Sequence, residues 1–429
     1  MAASQPIPRP SFPEALRVFL RIGLLSFGGP AGQIATMHRI LVDEKKWLDE
    51  PRFLHALNFC MLLPGPEAQQ LATYAGWQLH GVRGGIAAGW LFVLPGFVVM
   101  MALAALYVGL HHVPVVEGLF LGLKPAVLAV VLEACVRIGR RALKGRAALA
   151  VAALAFVAIF ALGVPFPLIV LSAGVAGALA RATFAPKLEE TVESLAPVDW
   201  RALAFTVLAC LVLWLVPVGV ALAAGQGAFA AIGLFFAKMA LVTFGGAYAV
   251  LAYVAQQAVE VYGWLAPGEM LDGLGLAETT PGPLILVNQF VGFLAGYRSP
   301  GGLDPWLGGV LGAVLTAWVT FLPCFLWIFA FAPFIEALRA NRALAGALAA
   351  ITASVVGVIL NLTVWFALHV IFARVASGRL GVPLPDFASV QPLQLVLAVA
   401  AAVAMLRFHV GMMAVLGAAA AVGVVASLI

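Results

Sequence analysis

The feature that most limits what this chain can become is a pair of glycine/proline interruptions, set in apolar sequence and present twice. Ser26-Phe27-Gly28-Gly29 returns as Thr243-Phe244-Gly245-Gly246, and Pro64-Gly65-Pro66 returns as Pro281-Gly282-Pro283. Ser26 to Thr243 is a shift of 217 positions, and so is Pro64 to Pro281. Arg21 and Lys238, Trp47 and Trp264, and Gly84-Gly85 and Gly301-Gly302 keep that shift. Past an insertion of 11, Trp90 and Leu94-Pro95 recur as Trp318 and Leu322-Pro323. Glycine costs about 1 kcal/mol and proline about 3 kcal/mol inside a helix, so a duplicated set marks duplicated breaks in the backbone. Paired breaks in matching halves of an apolar chain are the sequence mark of a transporter site.

The sequence around the breaks has no aqueous surface to solvate. Of 429 residues, 63% are hydrophobic and 10% charged, against about 25% charged in a soluble domain. Apolar runs near 86–109, 117–137, 147–161, 166–180, 202–222, 306–331, 345–371, 391–406 and 408–428 are each about as long as a helix that crosses a bilayer. Alanine, leucine and glycine dominate them, and no ten-residue alternation recurs, which favours helices over a β-barrel. The expected fold class is an all-α polytopic membrane protein. Residues 1–10 lack a signal peptide's apolar core, so insertion is expected to rely on internal spans. Cys60, Cys135, Cys210 and Cys324 lie in apolar segments without a CxxC pair and read as small buried hydrophobes. The net charge of +5 comes from short loops, as topology signals do, and gives no sign of nucleic-acid binding.

The polar stretch 181–201, with Lys187, Glu189, Glu190, Glu193 and Asp199, divides the chain. Residues 1–180 form a first transporter repeat, 181–201 a cytoplasmic linker and 202–429 a second repeat. Basic residues accumulate in cytoplasmic loops, which assigns Arg137, Arg140, Arg141, Lys144 and Arg146 to that side. Five spans then separate the two motif sets. An odd number makes the second set enter from the opposite side, so the repeats are expected to be inverted. Short helical pieces, 12–27 with 30–42 and 52–63 with 67–79, flank the first FGG and the first PGP. Re-entrant hairpins and discontinuous spans both fit that pattern.

A break inside a bilayer exposes backbone groups that each cost several kcal/mol unless satisfied. The start of the resumed helix carries aimed N–H donors and about half a positive charge. Gly28, Gly29, Gly245 and Gly246 let a ligand approach the backbone, and Ser26 and Thr243 offer hydroxyl donors. Pro64, Gly65, Pro66, Pro281 and Gly282 supply the second pair of breaks, with Pro66 and Pro283 suited to a helix's first turn. Tight helix crossing at small residues explains any one of these motifs equally well. Their duplication favours a binding role. Arg21 and Lys238, at the same spacing before each FGG, suit neutralising an anion from both sides.

Glu67 and Glu278 flank the two PGP motifs, as helix caps or as proton carriers. Gln69, Gln70, Asn288 and Gln289 lie one turn further on, within reach of an oxyanion or of another helix. Asp43 and its counterpart Glu260 read as structural, with Lys45 or Lys46 or backbone amides as partners. The histidines form no metal-ligand set, no Walker A sequence suggests ATP hydrolysis, and no catalytic grouping suggests an enzyme. No metal or cofactor is expected. Small-residue faces would permit a homodimer in the lipid without establishing one.

Residues 19–30 (FxRIGxxSFGGP) and 62–85 (LLPGPEAQQLATYxGWxxHGxxGG) resemble the signature of the bacterial chromate ion transporter family in its long, two-domain form. Residues 236–251 (FxKxxxxTFGGAYAVL) and 278–293 (ETTPGPxxLxxxFVGF) are similar to its second-half counterpart. The resemblance implies a multi-pass protein of the bacterial inner membrane that exports chromate, a sulfate-like dianion, by coupling to an ion gradient. It carries over to Arg21, Ser26, Gly28, Gly29, Pro64, Gly65, Pro66, Glu67, Lys238, Gly245, Gly246, Glu278, Pro281 and Gly282. Sulfate or another oxyanion would satisfy the same chemistry. A passive anion channel on the same scaffold is the alternative.

Overall fold

The computed structural model describes residues 10–110, 113–184, 199–244, 246–335, 341–377 and 383–428. Gly245 and most of the 181–201 linker lie outside the described residues. The first half contributes α1 (Phe12–Leu25), α2 (Gly29–His38), α3 (Glu50–Cys60), α4 (Glu67–Leu110), α5 (Pro114–Ala142), α6 (Arg146–Phe160), α7 (Phe166–Leu179) and the short α8 (Arg181–Phe184). The second contributes α9 (Trp200–Ala224), α10 (Phe229–Val242), α11 (Ala247–Gln256), α12 (Pro267–Thr279), α13 (Val287–Arg298), α14 (Pro305–Phe331), α15 (Arg342–Ile371), α16 (Pro392–Leu406) and α17 (Met412–Leu428). Among the described residues the only strands are an antiparallel pair, Val375–Ser377 with Pro383–Pro385. The protein is an all-α polytopic membrane protein.

Helix lengths follow the apolar runs, with two differences. α4 continues through residues 67–110, but His80 (φ −139°) and Gly81 (φ +63°) are non-helical, so it is two helices joined at a kink. α6 and α16 have 15 residues each, α7 has 14 and α17 has 17, rises of about 21–26 Å, short of the roughly 30 Å hydrocarbon core. The apolar runs predict full spans for all four. Because α6 and α7 come as a pair, removing both leaves the number of spans between the motif sets odd.

The chain forms two compact units that cut across its two halves. The first takes Met1–Ala102, Val192–Gly246 and Ala277–Leu338; the second takes Leu103–Thr191, Ala247–Leu276 and Arg339–Ile429. Both FGG and both PGP motifs fall in the first unit.

Internal prolines dictate much of the packing. A proline in a helix removes a donor and leaves the carbonyl four residues earlier unpaired, which lipid does not forgive. Pro217 frees Leu213 O, which accepts Trp318 Nε1 at 2.8 Å. Pro323 frees Val319 O, which accepts Trp214 Nε1 at 3.0 Å. These two reciprocal indole bonds fasten α9 to α14. In the second unit, Pro125 of α5 frees Leu121 O, which accepts Gln394 Nε2 at 3.0 Å. Pro95 frees Leu91 O, and Gly23 of α1 packs against that carbonyl so tightly that a Cβ would not fit.

Candidate substrate site

The breaks are crossed between repeats. Gly65 N–H of the first PGP donates to Thr243 O of the second FGG at 2.8 Å. Gly282 N–H of the second PGP donates to Ser26 O of the first FGG at 2.7 Å. Each bond maps onto the other under the 217 shift, the exchange that a two-fold relation between copies produces. Trp90 and Trp318, also repeat counterparts, stack with ring centroids 5.7 Å apart.

Positive φ angles explain why glycine stands at these places. They are +83° at Gly28, +68° at Gly29, +121° at Gly65, +101° at Gly246 and +90° at Gly282. The two kinds of break differ in what surrounds them. A Cβ on Gly65 would meet Cys324 Sγ at 2.9 Å, and a Cβ on Gly96 would run into Pro281 O. The PGP turns are therefore packed. At Gly29 and Gly246 a Cβ would meet nothing within 4 Å, and at Gly28 only Gly32 Cα at 4.0 Å. The FGG backbone faces open space, and α2 starts there with Gly28 as N-cap and no side-chain cap. A resumed helix with free N–H groups toward open space can receive an anion.

Side-chain amides take up the carbonyls the breaks release. Gln70 Nε2 donates to Pro64 O at 2.7 Å and Gln33 Nε2 to Gly282 O at 2.6 Å. Gln69 Nε2 reaches Phe321 O at 3.3 Å and Gln289 Nε2 reaches Phe97 O at 2.9 Å. Asn288 Nδ2 lies 3.2 Å from Met239 Sδ. Of the two roles open to these amides, their donors serve helix joining. Among the described residues the side-chain oxygens of Gln69, Gln70, Asn288 and Gln289 are buried without a partner, so this layer presents acceptors. The hydroxyls of Ser26 and Thr243 donate back to Ile22 O (2.6 Å) and Met239 O (2.8 Å). They close the ends of α1 and α10 and spend the protons that were expected to be free.

Charged candidates lie apart from that buried layer in character. Arg21 is paired with Glu44 at 2.8 Å, with half of its side chain exposed. Lys238 is exposed on α10 and has no ion pair among the described residues. Glu67 opens α4 directly after Pro66, where the helix dipole favours a carboxylate. Glu278 is buried at 3% exposure in the last turn of α12. Asp43 pairs with His38 at 3.5 Å rather than with Lys45 or Lys46, because Lys45 reaches back to Glu14 at 2.9 Å. Glu260 accepts Trp365 Nε1 at 3.1 Å.

The sequence does not single out Gln33 or Gly96, and Cys324, expected as a small buried hydrophobe, is buried against the Gly65 turn. Gly96 and Cys324 each sit one residue beyond the repeated Pro95 and Pro323. Gln33 has no polar counterpart under the shift, since Val250 stands there.

A family model described as "Chromate transporter" matches residues 13–180 and 230–424, most of the chain. A chromate transport protein of Pseudomonas aeruginosa is 36% identical over 386 residues, covering 89% of this chain and 87% of that protein. A chromate transport protein of Cupriavidus metallidurans is 27% identical over 366 residues, 81% of this chain and 80% of that one. The uncharacterized transporter YwrB of Bacillus subtilis is 32% identical over 126 residues, 29% of this chain and 64% of its own length. No solved structure matches. With duplicated breaks in a helical membrane bundle, and a family match running through both halves, the chain belongs to the chromate transporter family, a family of transport proteins rather than enzymes.

Proposed function

We propose that the protein is a secondary active transporter that exports chromate, or an oxyanion of the same shape and charge, across the bacterial inner membrane. The crossed hydrogen bonds Gly65–Thr243 and Gly282–Ser26 are the observation that carries this reading. They bring the four interruptions into two partner pairs inside one compact unit. A tetrahedral dianion is recognised at the open FGG backbone of Gly28, Gly29 and Gly246 and at the N-terminus of α2, with Gly245, outside the described residues, as the remaining glycine of the motif. The PGP turns of Pro64, Gly65, Pro66, Pro281 and Gly282 form the packed frame behind it, and Ser26 and Thr243 hold the broken helix ends. Lys238 supplies counter-charge, and Arg21 joins it by exchanging Glu44 for the anion. The repeats, 1–180 and 202–429 about the 181–201 linker, are inverted, so that one end opens as the other closes. Glu67 and Glu278 are the carboxylates nearest the breaks in sequence and are suited to exchanging protons as the anion moves. The relatives named chromate transport proteins support chromate as the cargo.

Purified protein in proteoliposomes tests the reading. Chromate uptake should saturate, be competed by sulfate and molybdate, and fall at least about tenfold in the double variant Arg21→Gln/Lys238→Gln, the factor that ~1.4 kcal/mol of lost binding produces. A large sustained conductance without saturation would point instead to a passive channel. Uptake untouched by the double variant would remove the proposed counter-charge.

A further inference from the structure

Outside the crossed breaks, the second unit holds a buried charge pair to which the substrate reading assigns no task. Asp272 of α12 is 1% exposed. Its Oδ2 accepts the Tyr107 hydroxyl at 2.9 Å, and its Oδ1 lies 3.4 Å from Lys124 Nζ. Among the described residues that Oδ1 accepts no well-aligned hydrogen bond, so its link to Lys124 is a charge contact that leaves room for a proton. The charged groups facing Asp272 are Lys124 and, one turn back on its own helix, Glu269. Glu269 Oε2 is engaged with the Ala266 N–H at 2.8 Å.

Position makes the pair unusual. Lys124 is ten residues into α5, about 15 Å along a helix that crosses a core of roughly 30 Å. Charges at that depth are rare, costly and usually functional. Burying an ion pair is seldom stabilising compared with an apolar pair of the same volume, so stability gives little reason to keep this one. The helices come close enough for the pair to form because α12 presents glycine: a Cβ on Gly268 would lie 3.2 Å from Lys124 Nζ, and one on Gly275 would lie 3.3 Å from Val127. Lys124 keeps 29% of its side chain exposed, so the pair is not sealed on that side.

We propose that Asp272 is a proton-binding site through which this transporter couples to a proton gradient, with Lys124 as its switching partner and Tyr107 as the hydroxyl that positions it. A proton from water forms an O–H bond at Oδ1. The carboxylate loses its charge, and the Lys124 ammonium loses its counter-ion and is released. Deprotonation to water restores the pair, so one proton is carried per cycle with no other bond made or broken. This rests on the transporter reading above. It deepens that reading by naming the coupled ion and a carboxylate distinct from Glu67 and Glu278.

Equilibrium accumulation in proteoliposomes at clamped voltage tests it, because a structural defect slows filling without changing the end point. One coupled proton makes a one-unit pH gradient worth about tenfold in the anion's accumulation ratio. The wild type should reach that ratio and Asp272→Asn should fall to about one, whereas Glu50→Gln, at an exposed contact with His38, should retain the wild-type ratio. Should Asp272→Asn fail to fold, the double variant Lys124→Met/Asp272→Asn removes both charges and is expected to give a ratio of one as well. An Asp272→Asn or double variant that accumulates like the wild type, or a wild type that moves chromate at a ratio of one, overturns the proposal. Sulfate accumulating in an Asp272-dependent way while chromate does not move would remove chromate as the cargo and leave the proton site standing. If neither anion moves, both are overturned.

Discussion

The segments that follow the two FGG breaks have one backbone and opposite surroundings. In the first copy, α2 passes into a π-helical turn at Arg39–Glu44; in the second, α11 passes into one at Gln257–Val261. The closing hydrogen bonds coincide under the 217 shift: Lys45 N–H to Ile40 O and Trp47 N–H to Leu41 O become Tyr262 N–H to Gln257 O and Trp264 N–H to Ala258 O. Yet the first copy carries ion pairs that reach solvent, Arg21–Glu44 and Lys45–Glu14, and a His38–Glu50 hydrogen bond. The second is buried along most of α12, where its charge pair is Lys124–Asp272. Local sequence therefore dictates the turn, and the polarity of the remaining side chains decides how deeply each copy sits. Duplication preserved the break and released the surface to diverge.

Six single substitutions and one double variant would break or sharpen this contrast. Lys124→Met strands the Asp272 carboxylate in a buried place and should cost about 3–5 kcal/mol, read as thermal unfolding in detergent. Adding Asp272→Asn should recover most of that loss. Between the packed PGP turns, Gly65→Ala adds a Cβ against Cys324 Sγ as well as backbone strain, for about 2–4 kcal/mol. Gly282→Ala, whose Cβ meets nothing closer than 3.4 Å, should cost only the ~1–2 kcal/mol of its positive φ. A gentler contrast lies at the turn itself, where Lys46 (φ +53°) stands in the first copy and Gly263 (φ +62°) in the second. Lys46→Gly should stabilise by up to about 1 kcal/mol, and Gly263→Ala should destabilise by a similar amount. The smallest effect is expected from Glu44→Gln, which breaks an exposed pair with Arg21 worth ~1 kcal/mol or less. A large loss there would mean that the first copy is as tightly held as the second.

Much of this was legible in the sequence. The spans follow from apolar runs, and the four breaks follow from Gly and Pro at matching places, because both are local properties. The partners of the breaks were not legible. That Gly65 meets Thr243 and Gly282 meets Ser26 depends on how distant segments cross. Prolines 125, 217 and 323 announce orphan carbonyls, but nothing local announces that Gln394, Trp318 and Trp214 will satisfy them. Arg21 is a different case. Its place in the repeat suggests an anion partner, and in the structure that place is taken by a carboxylate 23 residues away, Glu44. Lys124 was visible as a lone cation midway along an apolar run, but its meaning needed Asp272 beside it.

The central claim is that the open FGG backbone receives the oxyanion. Gly29 and Gly246 leave room for a side chain, so Gly29→Leu/Gly246→Leu would fill that space at little cost beyond φ strain. Gly263→Leu, with a φ of +62° close to the +68° of Gly29 and the same open surroundings, serves as the control away from the breaks. Chromate flux into proteoliposomes should fall about tenfold or more in the double variant and stay near the wild-type rate in the control. Equal flux in the wild type, the double variant and the control would contradict the account.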